Sequence, residues 1–296
     1  MTILLHGKLF SKDAEKYIFI FINELLKQKI DIIFTHSFYQ IIQQKKIPNN
    51  KKLTNTIKNV EEANTKINYL ICFGGDGTIL NAATIVKNSG IPIIGINTGR
   101  LGFLATIAKN ETTSLIKKIK KGEFKLSQRA VLNIEGEHDK IDLPFALNEI
   151  SVLSKEKTSM MNLKVFLNEE YLNTYWADGI IISTPTGSTG YSLSCGGPIV
   201  MPESKNLIIT PIAPHNLNVR PLVVSDENTI RIEVVDNPNK QFSLSMDSRH
   251  YNLLNKVTLT IQKANYNINL LQLDSTTYSK TLREKLLWGL DKRNYE

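Results

Sequence analysis

Tyr69-Leu70-Ile71-Cys72-Phe73-Gly74-Gly75-Asp76-Gly77-Thr78 is the stretch on which the fold turns. Its first five residues form an apolar run too short for a helix, and two glycines end it, which is the pattern of a parallel strand buried on both faces. Residues 78–86 then read as a helix. A strand that passes through glycines into a helix sets tightly turning backbone beside the free N–H groups of a helix N-terminus, where phosphate binds well. A carboxylate in that position is not there to attract phosphate. Asp76 is therefore a candidate to accept a hydroxyl proton, to orient a hydroxyl or to hold a metal ion.

The same alternation extends outward from this core. Residues 2–5 read as a first strand, and residues 12–29 as a helix behind a Ser11 cap, with Ile18, Phe21, Ile22, Leu25 and Leu26 at helical spacing. Residues 31–35 and 91–96 are further strands, and residues 112–121 a helix with Leu115, Ile116 and Ile119 on one face and lysines elsewhere, stopped by Gly122. Between them residues 43–66 turn polar around Pro48-Asn49-Asn50 and are expected to form a mobile loop, a possible lid over donor phosphates. After Gly122 the period changes to two. Residues 163–167, turned by Asn168-Glu169-Glu170 into 171–176, and residues 228–234, 241–246 and 256–262 are short β-type runs. Residues 281–290 return to helical spacing.

The expected architecture is α/β plus β: a Rossmann-like α/β nucleotide domain over residues 1–124, a mostly β, sandwich-like domain over 125–274, and a C-terminal helix within 275–296 packing back on the first. The active site is expected in the crevice between the domains.

Composition limits the alternatives. The chain has 296 residues, 36 Lys+Arg against 28 Asp+Glu for a net charge of +8, and 42% hydrophobic residues, enough for one large or two medium cored domains. No window approaches the roughly 20 apolar residues of a membrane helix, and the start lacks a charged leader, so the expectation is a cytoplasmic protein without a membrane partner. Two cysteines, Cys72 and Cys195, make neither a disulfide framework nor a zinc set. Although the chain is basic, 29 of its basic residues are scattered lysines without a recognition motif, so no nucleic-acid partner is expected.

The richest stretch for chemistry runs Asp178-Gly179-Ile180-Ile181-Ile182-Ser183-Thr184-Pro185-Thr186-Gly187-Ser188-Thr189-Gly190-Tyr191-Ser192-Leu193-Ser194-Cys195-Gly196-Gly197-Pro198. A strand here enters a loop dense in hydroxyls and glycines, suited to ribose hydroxyls, a base edge or phosphates, with Tyr191 offering a flat face for a base. Gly187-Ser188-Thr189-Gly190 is not the Gly-x-Ser-x-Gly elbow of a serine hydrolase, and no Gly-x-x-x-x-Gly-Lys phosphate loop is present. Gly95-Ile96-Asn97-Thr98-Gly99-Arg100-Leu101-Gly102-Phe103 is a weaker loop signal; Arg100 could reach a phosphate from it, but reads first as a surface arginine. Asn148-Glu149, residues 210–215 and Asp247-Ser248-Arg249 are smaller features that read alone as structural.

Taken together, the Gly74 to Thr78 motif, the Gly95 to Phe103 loop, Asn148-Glu149, the Asp178 to Pro198 segment and the Pro211 to His215 segment resemble the NAD kinase family in order and spacing. The pentapeptide alone is shared with diacylglycerol, sphingosine and phosphofructo-kinases. The Thr-Pro-Thr-Gly-Ser-Thr-Gly-Tyr run narrows it. The resemblance implies transfer of the γ-phosphoryl of ATP to the 2′-hydroxyl of the adenosine ribose of NAD, giving NADP, with Mg²⁺ or another divalent cation on the donor. It implies Asp76 as proton acceptor with Gly77 beside it, and Asn148, Glu149, Asp178, Thr189, Gly190, Tyr191, Ser192, Leu193 and Ser194 as NAD-binding positions, with Arg249 a looser match to a polar NAD contact. It also implies a homodimer or homotetramer; a metal-binding residue is not assigned. Trp176 departs from the arginine that some NAD-specific relatives carry two residues before this aspartate, which leaves the choice between NAD and NADH open. The alternatives are a lipid kinase of the same superfamily and a dinucleotide-binding regulator without turnover.

Overall fold

Six consecutive buried residues, Thr2–Gly7, lie inside a parallel sheet of the computed structural model, which describes residues 1–8, 11–45, 55–99, 102–135, 141–155, 160–235, 241–254, 257–273 and 277–288. Contacts divide the chain into two units, Met1–Gln128 with Ile268–Glu296, and Arg129–Asn267. In the first unit Thr2–Gly7 pairs with Asp31–Thr35 on one side and Tyr69–Phe73 on the other, and the sheet continues to Ile93–Asn97 and the end of Thr258–Leu273, where Leu270 is in register with Ile93. Every one of these pairings is parallel, so each strand needs a crossover, and helices cover the sheet. That cover is why these strands are apolar runs and not alternating ones.

The helix Lys12–Lys27 starts where Ser11 accepts the N–H of Ala14 at 3.2 Å, and it buries Ile18, Phe21, Ile22 and Leu25. It ends two residues before the expected position, as Lys29 takes a positive φ of 54° and leads into the next strand. Thr112–Lys121 has the expected bounds, closed by Gly122 in the left-handed conformation. The core is aromatic at its centre: Phe73 stacks on Phe38 at 5.9 Å and meets the edge of Phe21 at 5.7 Å.

The polar stretch 43–66 is more regular than expected. Its first two residues finish a helix, His36–Gln44, which buries Phe38 and Ile42, and its end forms the strand Thr56–Ile57 and a 3₁₀ turn, Val60–Glu62. The helix follows its strand with no linking loop and buries two residues, too short a pattern to stand out in sequence. Residues 46–54, at the centre of that expected loop, lie outside the described residues, as do Arg100 and Leu101. The C-terminal helix is Tyr278–Leu286, which belongs to the first unit.

The second unit is a sandwich. One sheet contains the hairpin Met161–Leu167 with Glu170–Ala177, then Ile230–Val234 and the start of Thr258–Leu273; the other runs Leu222–Ser225, Asn206–Ile212, Gly179–Ser183, Glu149–Ser154, Gln241–Met246, Arg249–Leu254. All these pairs are antiparallel. Asn168 and Glu169 both take positive φ, 50° and 68°, the geometry whose twist suits a two-residue hairpin. Leu163, Val165, Ile230, Ile232 and Ile261 of one sheet share a core with Val152, Ile180, Ile182, Ile209 and Leu244 of the other. No helix among the described residues is long and apolar enough to cross a membrane.

Candidate functional site

Asp76 opens the helix Asp76–Val86, two residues earlier than expected, with Gly75 as the N-cap. Its carboxylate accepts three backbone N–H bonds, from Phe103 at 2.8 Å, Leu104 at 3.0 Å and Ala105 at 3.1 Å. The loop read as a weak phosphate-binding candidate is thus what holds Asp76 in place. Gly102 is required there, since a Cβ on it would lie 1.9 Å from Asp76 Oδ1. Asn97 supports the same loop by accepting the Gly99 N–H at 2.7 Å. Gly77 is exposed, with nothing within 4 Å of where its Cβ would be, so a ligand has open access to this backbone.

Two other groups at the sheet are set aside by their surroundings. His6 is buried with Nδ1 2.9 Å from Thr35 Oγ1, and burial, followed by the Lys8 charge, lowers it to about 4, so it is a neutral core residue at pH 7. Cys72 is buried, and burial pushes its thiol far above the range of a nucleophile.

In the second unit, Asn148 and Glu149 begin the strand Glu149–Ser154 under the loop after Gly179–Ser183. The backbone there is gripped from two sides. Thr184 donates its N–H to Asn148 O at 2.9 Å and its hydroxyl to Leu147 O at 2.7 Å. Asp247, which the sequence offers only as part of a minor Asp-Ser-Arg feature, accepts from Leu147 at 2.9 Å, Asn148 at 2.7 Å and Glu149 at 3.3 Å. Both side chains of the Asn-Glu pair close on Gly190: a Cβ there would be 2.8 Å from Glu149 Oε2 and 3.4 Å from Asn148 Nδ2. Asn148 Oδ1 and Glu149 Oε2 are buried and have no hydrogen-bond partner among the described residues. Buried acceptors are seldom left so, and two adjacent ones mark a place where a ligand's hydroxyls or amides complete the set.

Burial pushes the Glu149 carboxyl up to about 8, helped by the nearby Asp247 charge and opposed by the Tyr191 N–H. At neutral pH it is mostly a neutral acid that can donate as well as accept. The folded protein then holds a proton that the unfolded chain has lost, so this group's contribution to stability is full below the ordinary glutamate range and is lost as pH rises through about 8. Melting temperatures from pH 5 to 8.5 are expected to fall more steeply for the wild type than for Glu149→Gln. Parallel curves would show that Glu149 ionises as an ordinary surface acid.

The hydroxyl-rich segment divides in two. Thr184, Ser188 and Ser192 are fully buried, with Ser188 donating to Pro185 O at 2.7 Å and Ser192 sharing a 2.8 Å bond with Thr210, so these hydroxyls hold the loop together. Thr189, Gly190 and Leu193 are half-buried, while Tyr191 and Ser194 are exposed. Asp178 is exposed, and its charge helps raise the Tyr191 phenol, after burial and Cys195, which places it beside this face. Arg249, expected as a looser match to a polar NAD contact, donates from its guanidinium to Leu143 O at 2.6 Å and to Phe145 O. Trp176 is 45% exposed, its ring 4.3 Å from that of His215, whose N–H donates to Trp176 O at 2.8 Å.

An α/β unit with a clamped aspartate at a strand-to-helix turn, and a β unit with a partly unsatisfied Asn-Glu pair, define a nucleotide-binding class. The solved structures similar in fold carry nucleotides: yeast NADH kinase complexed with NADH, at TM-score 0.85 and 22% identity over 98% of this chain and 88% of that one, and an NAD kinase from Archaeoglobus fulgidus in complex with ATP, at TM-score 0.71 and 23% identity over 98% of both. The ATP-NAD kinase N-terminal domain matches residues 8–124 and the ATP-NAD kinase C-terminal domain residues 147–273. NAD kinases of Christiangramia forsetii and Flavobacterium johnsoniae are 44% and 43% identical over 300 residues, 99% of this chain and 100% of theirs. The chain belongs to the ATP-NAD kinase family.

Proposed function

We propose that the protein is an NAD kinase, transferring the γ-phosphoryl of ATP to the 2′-hydroxyl of the adenosine ribose of NAD to make NADP. The observation that carries this reading is the pair of buried, partnerless acceptors on Asn148 and Glu149, in a chain of this family. Polar groups kept unsatisfied until ligand arrives suit a sugar-bearing substrate better than a lipid, and family membership displaces the lipid-kinase alternative.

Phosphoryl transfer asks a protein for alignment and charge stabilisation more than for covalent chemistry. Asp76, oriented by the Phe103 to Ala105 amides, accepts the hydroxyl proton as the new P–O bond forms. Asn148 and Glu149 hold the dinucleotide, with Asp178 and the Thr189 to Ser194 segment, Tyr191 supplying a face for a ring. A divalent cation such as Mg²⁺, when bound with ATP, would supply charge neutralisation at the donor phosphates. The family also suggests a cytoplasmic homodimer or homotetramer, which light scattering on the purified protein would check.

The test is purified protein with Mg-ATP and NAD, assayed by an NADP-specific dehydrogenase, with NADH and polyphosphate run in parallel. Formation of NADP is expected. Bound NAD without product under any donor would favour the regulator reading. Turnover of NADH equal to that of NAD would make Trp176 compatible with either acceptor.

A further inference from the structure

We propose that Asp247 is a positioning residue for NAD, a brace that fixes the Asn148-Glu149 backbone so that both side chains meet the dinucleotide. This rests on the NAD kinase reading. One carboxylate takes three consecutive N–H groups: Oδ2 accepts from Leu147, and Oδ1 from Asn148 and Glu149. The Asp247 N–H returns a bond to Glu149 O at 3.0 Å. Leu147 and Asn148 precede the strand and Glu149 begins it, and the one carboxylate is the acceptor for all three part-buried amides. The carbonyls of Leu147 and Asn148 are taken by Thr184, so the backbone of the pair is gripped from both sides.

Asp247 is the first residue of the tight turn between Gln241–Met246 and Arg249–Leu254, at a φ of 54°, a left-handed conformation that aspartate and asparagine accept more readily than other side chains. Its side chain is 3% exposed, and the opposing charge beside it among the described residues is Arg249, 3.9 Å from Oδ2, a guanidinium whose hydrogen bonds go to Leu143 O and Phe145 O. A turn needing only to reverse the chain would not bury a carboxylate. Register explains the reach: Met246 pairs with Ile150, which sets the next residue against Glu149.

The brace also carries a charge toward the site. The charged and titratable groups facing Glu149 among the described residues are Asp247 and, behind it, Arg249, while the Tyr191 segment presents a backbone N–H. Asp247 thereby favours the neutral acid at Glu149.

Asp247→Asn keeps the shape and tolerates positive φ, but turns an NH₂ toward amide donors. Charge-assisted bonds of this kind are worth about tenfold or more each in an equilibrium. The expected result is a KM for NAD raised at least about tenfold, with kcat changed little and the KM for ATP unchanged, the signature of lost binding common to ground and transition states. The pH dependence of the NAD KM is expected to move to lower pH, as Glu149 loses a like charge. Asp247→Glu keeps the charge on a longer arm: the NAD KM still rises, but the pH dependence stays where the wild type has it. An unchanged NAD KM in Asp247→Asn overturns the proposal. So does an equal loss of NAD and ATP affinity, or loss of the cooperative melt in both variants, since either means a general structural role. If the wild type binds NAD and makes no NADP, the kinase reading fails, and calorimetric NAD binding by the same variants still decides the brace.

Discussion

Asp76→Asn is expected to fold as the wild type does and to lose NADP formation by at least about 10²-fold, the lower end of what general-base help contributes. The fold survives because asparagine is nearly isosteric and its Oδ1 can still accept from Leu104 and Ala105. What changes is local: an NH₂ replaces the oxygen that takes the Phe103 N–H, and the group at the helix N-terminus is no longer an anion. A melting temperature lowered by a few degrees is consistent with losing one charge-assisted bond in a protein of this size. Turnover is another matter, since an amide cannot accept the hydroxyl proton. Near-normal kcat in the variant would make Asp76 a loop anchor and nothing more, which its three amide bonds would then fully explain.

Gly187→Ala is expected to cost the protein its NAD site and much of its stability. A methyl at Gly187 would sit 2.1 Å from Asn148 O, 2.5 Å from its carbonyl carbon and 2.9 Å from its Cα. All three are backbone atoms, so no rotamer change gives relief. To make room, Asn148 must move off Thr184, whose N–H it accepts, and off Asp247, which holds its own N–H. Overpacking of this kind costs about 1 to 3 kcal/mol and sometimes more. Gly99→Ala, with open space around its Cβ, is the matched control. The measurement is melting temperature with calorimetric NAD binding. A Gly187→Ala protein that melts and binds NAD like Gly99→Ala would mean that the loop over the Asn-Glu pair is loose.

Much of the frame is readable from residue order because its causes are local. The apolar run before Gly74-Gly75 announces a buried parallel strand, Ser11 and Gly122 mark helix ends through backbone bonds within one turn, and Asn168-Glu169 adopts the positive φ values a hairpin turn needs. Period two from Lys125 onward announces the sandwich, whose cross-sheet core requires alternation. The His36–Gln44 helix was not readable, as two buried residues are too few to make a period.

The candidate site was readable as a set of residues and not as an arrangement. Asp76 and the Thr184 to Ser194 run stand out by composition, since small, hydroxylated and acidic residues gathered at strand ends are otherwise poor at filling a core, whereas Asn148 and Glu149 read alone as structural and were singled out only by the family resemblance. Which hydroxyls face outward was hidden, because Ser192 meets Thr210 and Thr184 meets Leu147 only after the strands have paired.

Sequence by itself therefore determined the element types, the two kinds of sheet and the residue types available for chemistry, all consequences of side-chain spacing along a few turns or strand lengths. Tertiary structure alone decided how the two carboxylates are used: Asp76 is clamped by amides 27 to 29 residues away and Asp247 clamps amides 98 to 100 residues away. The physical reason is that a backbone N–H is present at every position except proline and leaves no trace in the residue order, so its choice of partner appears only when register and loop path bring a buried acceptor to it.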